Sequence, residues 1–470
     1  MSPRGRSGQP ARFYHEIVSL GGVIELGLLA PEGDRQPPRP AGSRRSILAA
    51  VAVAAVLLGV AGAVAPAGPG LVPVRTATVG YASTFQLIDD TLYVAQARPD
   101  GNSVTAYPLS AGPPRWSAPI DLLAGNASLD GIDEVVVVSV YQPGVHGAHT
   151  MALDRATGAV RWLSRLSVMG LDRLRDRVLL TEVADPDAEQ PAQPQIMAVS
   201  ADRGEPAWTY RRDGACQAGT PYEVTDARTG LAVLCPDGTL SLVDLADGHV
   251  RASVDIPGAV RGPDSGSGFG PSVIPLDDRI LVSYPGPGSS ILTSFDVDRL
   301  RPQWRAEVDH ANYGVSECGS RICLLDSRGV VAVDRVTGAL PWRVDTTGFS
   351  APLGQKYVIV APPTLGDVRL VDADTGATVL NLGRWTAEER LSGPPLFFRL
   401  DPIMRTDRAS RADPVVHRTW VATLSMNPIG LRLLGVLPDA DPDTCDSTEN
   451  YLACRTVKDT VQVWRLAGPR

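Results

Sequence analysis

The chain repeats a phrase. Residues 152–162 read Ala-Leu-Asp-Arg-Ala-Thr-Gly-Ala-Val-Arg-Trp, and residues 332–342 read Ala-Val-Asp-Arg-Val-Thr-Gly-Ala-Leu-Pro-Trp. Both fit A-x-D-x-x-T-G-x-x-x-W. Weaker copies lie at 198–208 and 294–304. Others run from Asp244 to Ala252, from Asp372 to Leu380, and from Ala106 to Trp116. With the Asp position as marker, the series is Leu109, Asp154, Ser200, Asp244, Asp296, Asp334 and Asp372, spaced by 45, 46, 44, 52, 38 and 38 residues. Periods of about 40–50 residues suit four-stranded propeller blades. A repeat array of this kind forms one large domain however long it grows.

Each part of the phrase has a physical task. The apolar run before Asp, as in Thr-Met-Ala-Leu-Asp154 and Val-Val-Ala-Val-Asp334, reads as a strand. Asp accepts hydrogen bonds from backbone amides further on and so opens a turn. Gly158 and Gly338 supply the positive φ such a turn needs. The next strand carries a large aromatic suited to the wedge between neighbouring blades. Trp116, Trp162, Trp208, Trp304 and Trp342 all hold this slot, five of the eight tryptophans. Together with Asp154, Gly158, Asp334 and Gly338 they read as structural residues, not as a ligand box.

The phrase resembles the tryptophan-docking repeat of the quinoprotein-type, or pyrroloquinoline-quinone-type, β-propellers. That family includes quinoprotein dehydrogenases and the non-enzymatic propeller lipoprotein of outer-membrane protein assembly. The resemblance covers 71–470. The layout is similar to actinobacterial membrane-anchored PQQ-binding-like propeller proteins, which open with a short Ile-Glu-Leu-Gly segment, here Val23-Ile24-Glu25-Leu26-Gly27. The resemblance implies an all-β fold of four-stranded blades. Eight blades are expected, with seven the alternative. Leu71–Thr78 is expected to complete the last blade and so remove free sheet edges.

Residues 47–65 are 19 uncharged and mostly apolar residues. As a helix they reach about 28 Å, enough to cross a bilayer. Arg35, Arg39, Arg44 and Arg45 precede them, and the next basic residue is Arg75. The positive-inside rule then puts the N-terminus in the cytoplasm. A cleaved signal peptide is the competing reading, with Ala61-Gly62-Ala63 as its site. The 46 residues before the run exceed the usual whole signal of about 15–30 residues, which favours an uncleaved anchor. The expected organisation is a cytoplasmic Arg-rich tail at 1–45, a transmembrane signal-anchor helix at 46–66, a Pro/Gly linker at 67–70 and an extracytoplasmic propeller at 71–470.

Charge divides at the helix. The whole chain carries −8, while 1–45 carries +3. The remaining residues are therefore acidic, which argues against a nucleic-acid partner. All six cysteines lie beyond the apolar run, in three local pairs: Cys216 with Cys235, Cys318 with Cys323, and Cys445 with Cys454. Each pair brackets one hairpin, and an oxidising compartment permits disulfides. Three intrablade disulfides are the expectation.

Catalytic signatures are few. A quinoprotein dehydrogenase needs a catalytic aspartate, a calcium site and often a vicinal Cys-Cys, and the sequence has no Cys-Cys. The resemblance carries over the scaffold motif and no catalytic, cofactor-binding or metal residue. His146-Gly-Ala-His149 reads as a solvated loop, without a carboxylate partner. Asp439-x-Asp441-x-Asp443 reads as an acidic turn, because Pro442 takes the fourth position and Gly is missing from the sixth. The expected function is therefore a membrane-anchored binding or scaffold module without catalysis and without cofactor. Its ectodomain is expected to be monomeric. Its partner is an envelope protein or an extracellular ligand. A quinone-dependent dehydrogenase-like enzyme and a ligand-sensing ectodomain are the alternatives.

Overall fold

The computed structural model describes residues 70–467, apart from 81–82, 98–100, 121–126, 141–149, 183–194, 213–215, 227, 261–270, 310–313, 346–348, 362–366, 384, 389–395 and 403–416. The expected tail, the 46–66 helix and linker residues 67–69 lie outside the described residues, as do His146 and His149. Among the described residues no helix is long and apolar enough to cross a membrane.

Among the described residues nine blades of four antiparallel strands follow one another along the chain, and the third gains a short fifth strand in parallel. Blades 1 to 8 span 83–120, 127–164, 167–211, 217–255, 272–308, 315–344, 349–383 and 386–438. Blade 9 combines three strands within 446–466 with Leu71–Thr78. That first strand pairs with Thr460–Leu466 from Leu71 opposite Leu466 to Thr78 opposite Thr460, so both ends of the described chain meet in one blade as expected. Within each blade the strands are a to d, from the inner side outward.

The expectation of eight or seven blades is corrected to nine. The seven markers each fall in a separate blade, 1 to 7. The two further blades lack the phrase. Blade 8 turns between its c and d strands at Asn427-Pro428 instead of at Asp-x-x-Thr-Gly. Blade 9 draws its d strand from the other end of the chain.

Nine apolar clusters fill the nine gaps between blades. One joins Tyr93, Ala106 and Trp116 of blade 1 to Leu129, Val138 and Leu153 of blade 2. The last joins Val461 and Val463 of blade 9 to Leu92 and Val94 of blade 1, which closes the ring. The b strands are buried on both faces, as in Val135–Val140, which explains why they read as continuous apolar runs without alternation.

All three cysteine pairs are disulfides within single blades: Cys216–Cys235 in blade 4, Cys318–Cys323 in blade 6 and Cys445–Cys454 in blade 9.

Candidate binding site on blade eight

The repeated phrase builds a dock between blades. In blade 2 the Asp154 carboxylate accepts from the amides of Ala156 (3.0 Å) and Thr157 (2.7 Å) and from the Thr157 hydroxyl (2.8 Å). Asp334 does the same in blade 6 with Val336, Thr337 and the Thr337 hydroxyl. The turn presents one carbonyl to the preceding blade. Trp116 Nε1 donates to Arg155 (2.9 Å), Trp162 to Ala201 (2.7 Å), Trp208 to Leu245 (2.8 Å), Trp304 to Arg335 (2.7 Å) and Trp342 to Ala373 (2.9 Å). Each acceptor directly follows the marker residue of the next blade. The indole lies against the turn glycine. At Gly158, with φ +74°, a Cβ would sit 2.5 Å from the Trp116 ring, so only glycine fits.

Blade 9 has no tryptophan for this task, and Arg75 takes the slot. The ladder irregularity that precedes Trp162, Trp208 and Trp304 falls here between Pro73 and Arg75. The Arg75 guanidinium donates to the carbonyls of Pro108 (2.6 Å), Ser110 (3.1 Å) and Gly112 (2.7 Å) on the same turn of blade 1, and stacks on Tyr107. The repeat pattern hides this role, because an arginine has no place in an aromatic motif.

In blades 4, 7 and 8 the slot holds Ala252, Leu380 and Gly435. On the side of blade 8 that faces blade 7 lies a cleft of about 290 Å³, lined by Trp385, Trp420, Ala422, Leu431 and Leu433. Its far wall is a long hairpin. His417–Met426 and Ile429–Pro438 are ten residues each. The ladder runs three pairs beyond the level at which other blades turn: Leu424 opposite Leu431, Ser425 opposite Gly430, and Met426 opposite Ile429. Side chains alternate along a strand, so Trp420, Ala422, Leu424 and Met426 share one face with Ile429, Leu431 and Leu433. That face is apolar from the cleft to the tip. Near the base it packs against blade 7 through Ala422 and Leu424. Leu433, opposite Ala422, is 45% exposed, and at the tip Met426 is 44% exposed.

The sequence carried one signal for this place. Trp385 and Trp420 stand outside the repeat slot. The third such tryptophan, Trp464, is buried between blades 8 and 9.

A polar cluster lies on the inner side of blades 2 to 4. Glu223-Val224 pairs in parallel with Leu171-Asp172, adding a short strand inside the a strand of blade 3. The Tyr222 hydroxyl donates to Asp130 (2.6 Å), and Arg173 donates to Glu223 (2.6 Å) and to the Gly131 carbonyl (2.9 Å). Burial pushes the Asp130 carboxyl above its ordinary range, although the Tyr222 bond acts the other way. Burial and the nearby Asp130 charge push the Tyr222 hydroxyl up as well.

These features define a tryptophan-docked β-propeller. The family described as outer membrane protein assembly factor BamB matches residues 101–316. The crystal structure of BamB from Moraxella catarrhalis is similar, with 16% identity over 85% of this chain and 99% of that one and a TM-score of 0.44. A eukaryotic initiation factor shares the fold at a TM-score of 0.52, with 11% identity over 81% and 94% of the two chains. Quinohemoprotein alcohol dehydrogenase from Comamonas testosteroni matches at 0.41, with 12% identity over 86% and 77%. None of the curated proteins compared matches the chain.

A quinone and its cation would need convergent donors near the axis. Among the described residues no three His, Cys, Asp or Glu side chains converge. Asp130 and Glu223 are engaged by Tyr222 and Arg173, and all six cysteines are in disulfides. The described residues do not fit that group, and no reaction step follows from it.

Proposed function

We infer that this protein is a non-catalytic binding platform of the cell envelope. In this reading the 46–66 helix holds it in the membrane with its N-terminus cytoplasmic and its propeller extracytoplasmic. The arginine-flanked apolar run supports the orientation, and three disulfides suit an oxidising compartment. The observation that carries the binding role is the apolar cleft between blades 7 and 8, where the docking pattern is interrupted. Its volume lies at the low end of ligand pockets, which run about 300–1,000 Å³. It suits one or two apolar anchor side chains better than a large cofactor. The BamB description names a factor of outer membrane protein assembly, and by analogy the partner is another envelope protein.

Crosslinking in cells, followed by capture of the tagged chain, tests the reading. The wild type and Val160→Lys, altered on the exposed d strand of blade 2, should capture the same stoichiometric envelope protein. Leu433→Lys should lose it while melting at the wild-type temperature, because an exposed substitution changes stability by about 0.5 kcal/mol or less. Equal capture by all three removes the cleft from the binding role. No capture by any of them shifts weight to a small extracellular ligand or to the dehydrogenase-like alternative.

A further inference from the structure

We propose that the tip of the blade 8 hairpin rests in the membrane surface, with the acyl-headgroup boundary of the bilayer as its occupant. The inference deepens the anchored reading above and rests on it.

The geometry begins where the chain enters the propeller. Gly70 lies against the hairpin so closely that a Cβ there would come within 2.8 Å of the Leu434 carbonyl. Leu71 fills the space beside Gly435, where a Cβ would meet Leu71 Cδ1 at 3.1 Å. Leu71 starts a d strand, and Asn427-Pro428 joins a c strand to a d strand. In antiparallel blades both sit on the same face of the ring. The hairpin therefore points to the face of the ring on which the described chain begins. Only residues 66–69 separate Gly70 from the apolar run 47–65. The five steps from Ala65 to Gly70, at about 3.4 Å each, span at most about 17 Å. The three extra ladder pairs carry the tip about 10 Å past the turns of the other blades. If residues 47–65 span a bilayer, this short connection would bring its surface within reach of that tip.

The chemistry of the tip agrees. Met426, Pro428 and Ile429 are exposed, with no acidic residue between Trp420 and Pro438. Trp420 and Trp385 stand behind them at the cleft, and tryptophan favours the headgroup level of a bilayer. Arg432 is the one charged residue between Trp420 and Pro438, so the attraction is mainly hydrophobic and should persist at high salt.

The described cysteines are all in disulfides, so one introduced cysteine can be labelled alone. Full-length Ile429→Cys is labelled with an environment-sensitive fluorophore and reconstituted in nanodiscs of phosphatidylcholine and phosphatidylglycerol. Val457→Cys is the control, since it lies in the turn between the b and c strands of blade 9, on the opposite face, and is 50% exposed. The expected result is blue-shifted emission from position 429, quenched by headgroup-proximal spin-labelled lipid at both low and high salt, with position 457 unaffected. Incorporation of the chain with no quenching at 429 overturns the membrane contact and leaves the anchor standing. Failure of the full chain to incorporate overturns both.

Discussion

The indole of Trp304 on blade 5 donates to the carbonyl of Arg335 on blade 6 at 2.7 Å, and Arg335 returns the contact. Its guanidinium reaches back to Asp278 of blade 5 (2.5 Å) and to Glu317 (2.9 Å). Hydrogen bonds from Arg279 and then Arg335 hold the Asp278 carboxyl far below the ordinary carboxylate range. The same pairing recurs between blades 1 and 2, where Trp116 meets the Arg155 carbonyl and Arg155 reaches Asp89 (2.5 Å). One residue thus accepts through its backbone and donates through its side chain to the same neighbouring blade.

Truncating the dock should be costly. Trp304→Ala removes a buried aromatic and is expected to lose about 3–5 kcal/mol. Trp304→Phe keeps most of the packing and loses one hydrogen bond, about 1 kcal/mol. Urea unfolding of the two variants beside the wild type measures both. Equal losses would mean that packing contributes little.

Gly338 faces the same indole. Its φ is +72°, and a Cβ would stand 2.7 Å from the Trp304 ring. Gly338→Ala is expected to lose at least the left-handed penalty of about 1–2 kcal/mol. A wild-type melting temperature would show that the turn can shift away from the ring.

Arg75 closes the ring. Its three carbonyl partners carry charge-assisted bonds, worth about 1.5–3 kcal/mol in similar settings. Arg75→Ala should speed amide exchange in Leu71–Thr78 before the rest of the propeller responds. Arg75→Lys should recover only part of the protection, because an ammonium lacks the planar fork. Unchanged exchange in both would assign closure to the strand ladder alone.

Asp154 makes the dock sensitive to acid. The Arg161 bond first, and the Thr157 bonds second, lower its carboxyl to about 2. The unfolded value is about 3.9. A depressed carboxylate stabilises the fold above the unfolded value and loses that contribution as pH falls through the folded one. The melting temperatures of wild type and Asp154→Asn should therefore differ at pH 6 and converge as pH falls from about 4 to about 2. A constant difference across that range would refute the linkage.

Disulfide removal should follow loop length. Cys216–Cys235 closes a separation of 19 residues and Cys318–Cys323 one of 5. Chain entropy assigns them about 3 and about 2 kcal/mol respectively. Paired Cys→Ala variants, compared by urea unfolding, give the order. The reverse order would mean that filling the buried site around Cys318 and Cys323 outweighs loop closure.

By itself the sequence determined what short-range chemistry decides. Asp154 and Asp334 with their following Thr and Gly specify a turn whose hydrogen bonds close within a few residues. The period between copies specifies the blade, and local cysteine pairs specify the disulfides. The blade count was not legible, because blades 8 and 9 are built without the phrase. The Arg75 dock was not legible either, since it joins residues 33 to 37 positions apart through a ring that must first close. Only the tertiary structure decided the cleft. It places Trp385 beside Trp420 and Leu433 on the side of blade 8 that faces blade 7, whose docking slot holds Leu380 in place of tryptophan. An interruption of a pattern becomes a surface only when the neighbouring blade is in place, and that adjacency is set by packing across the ring.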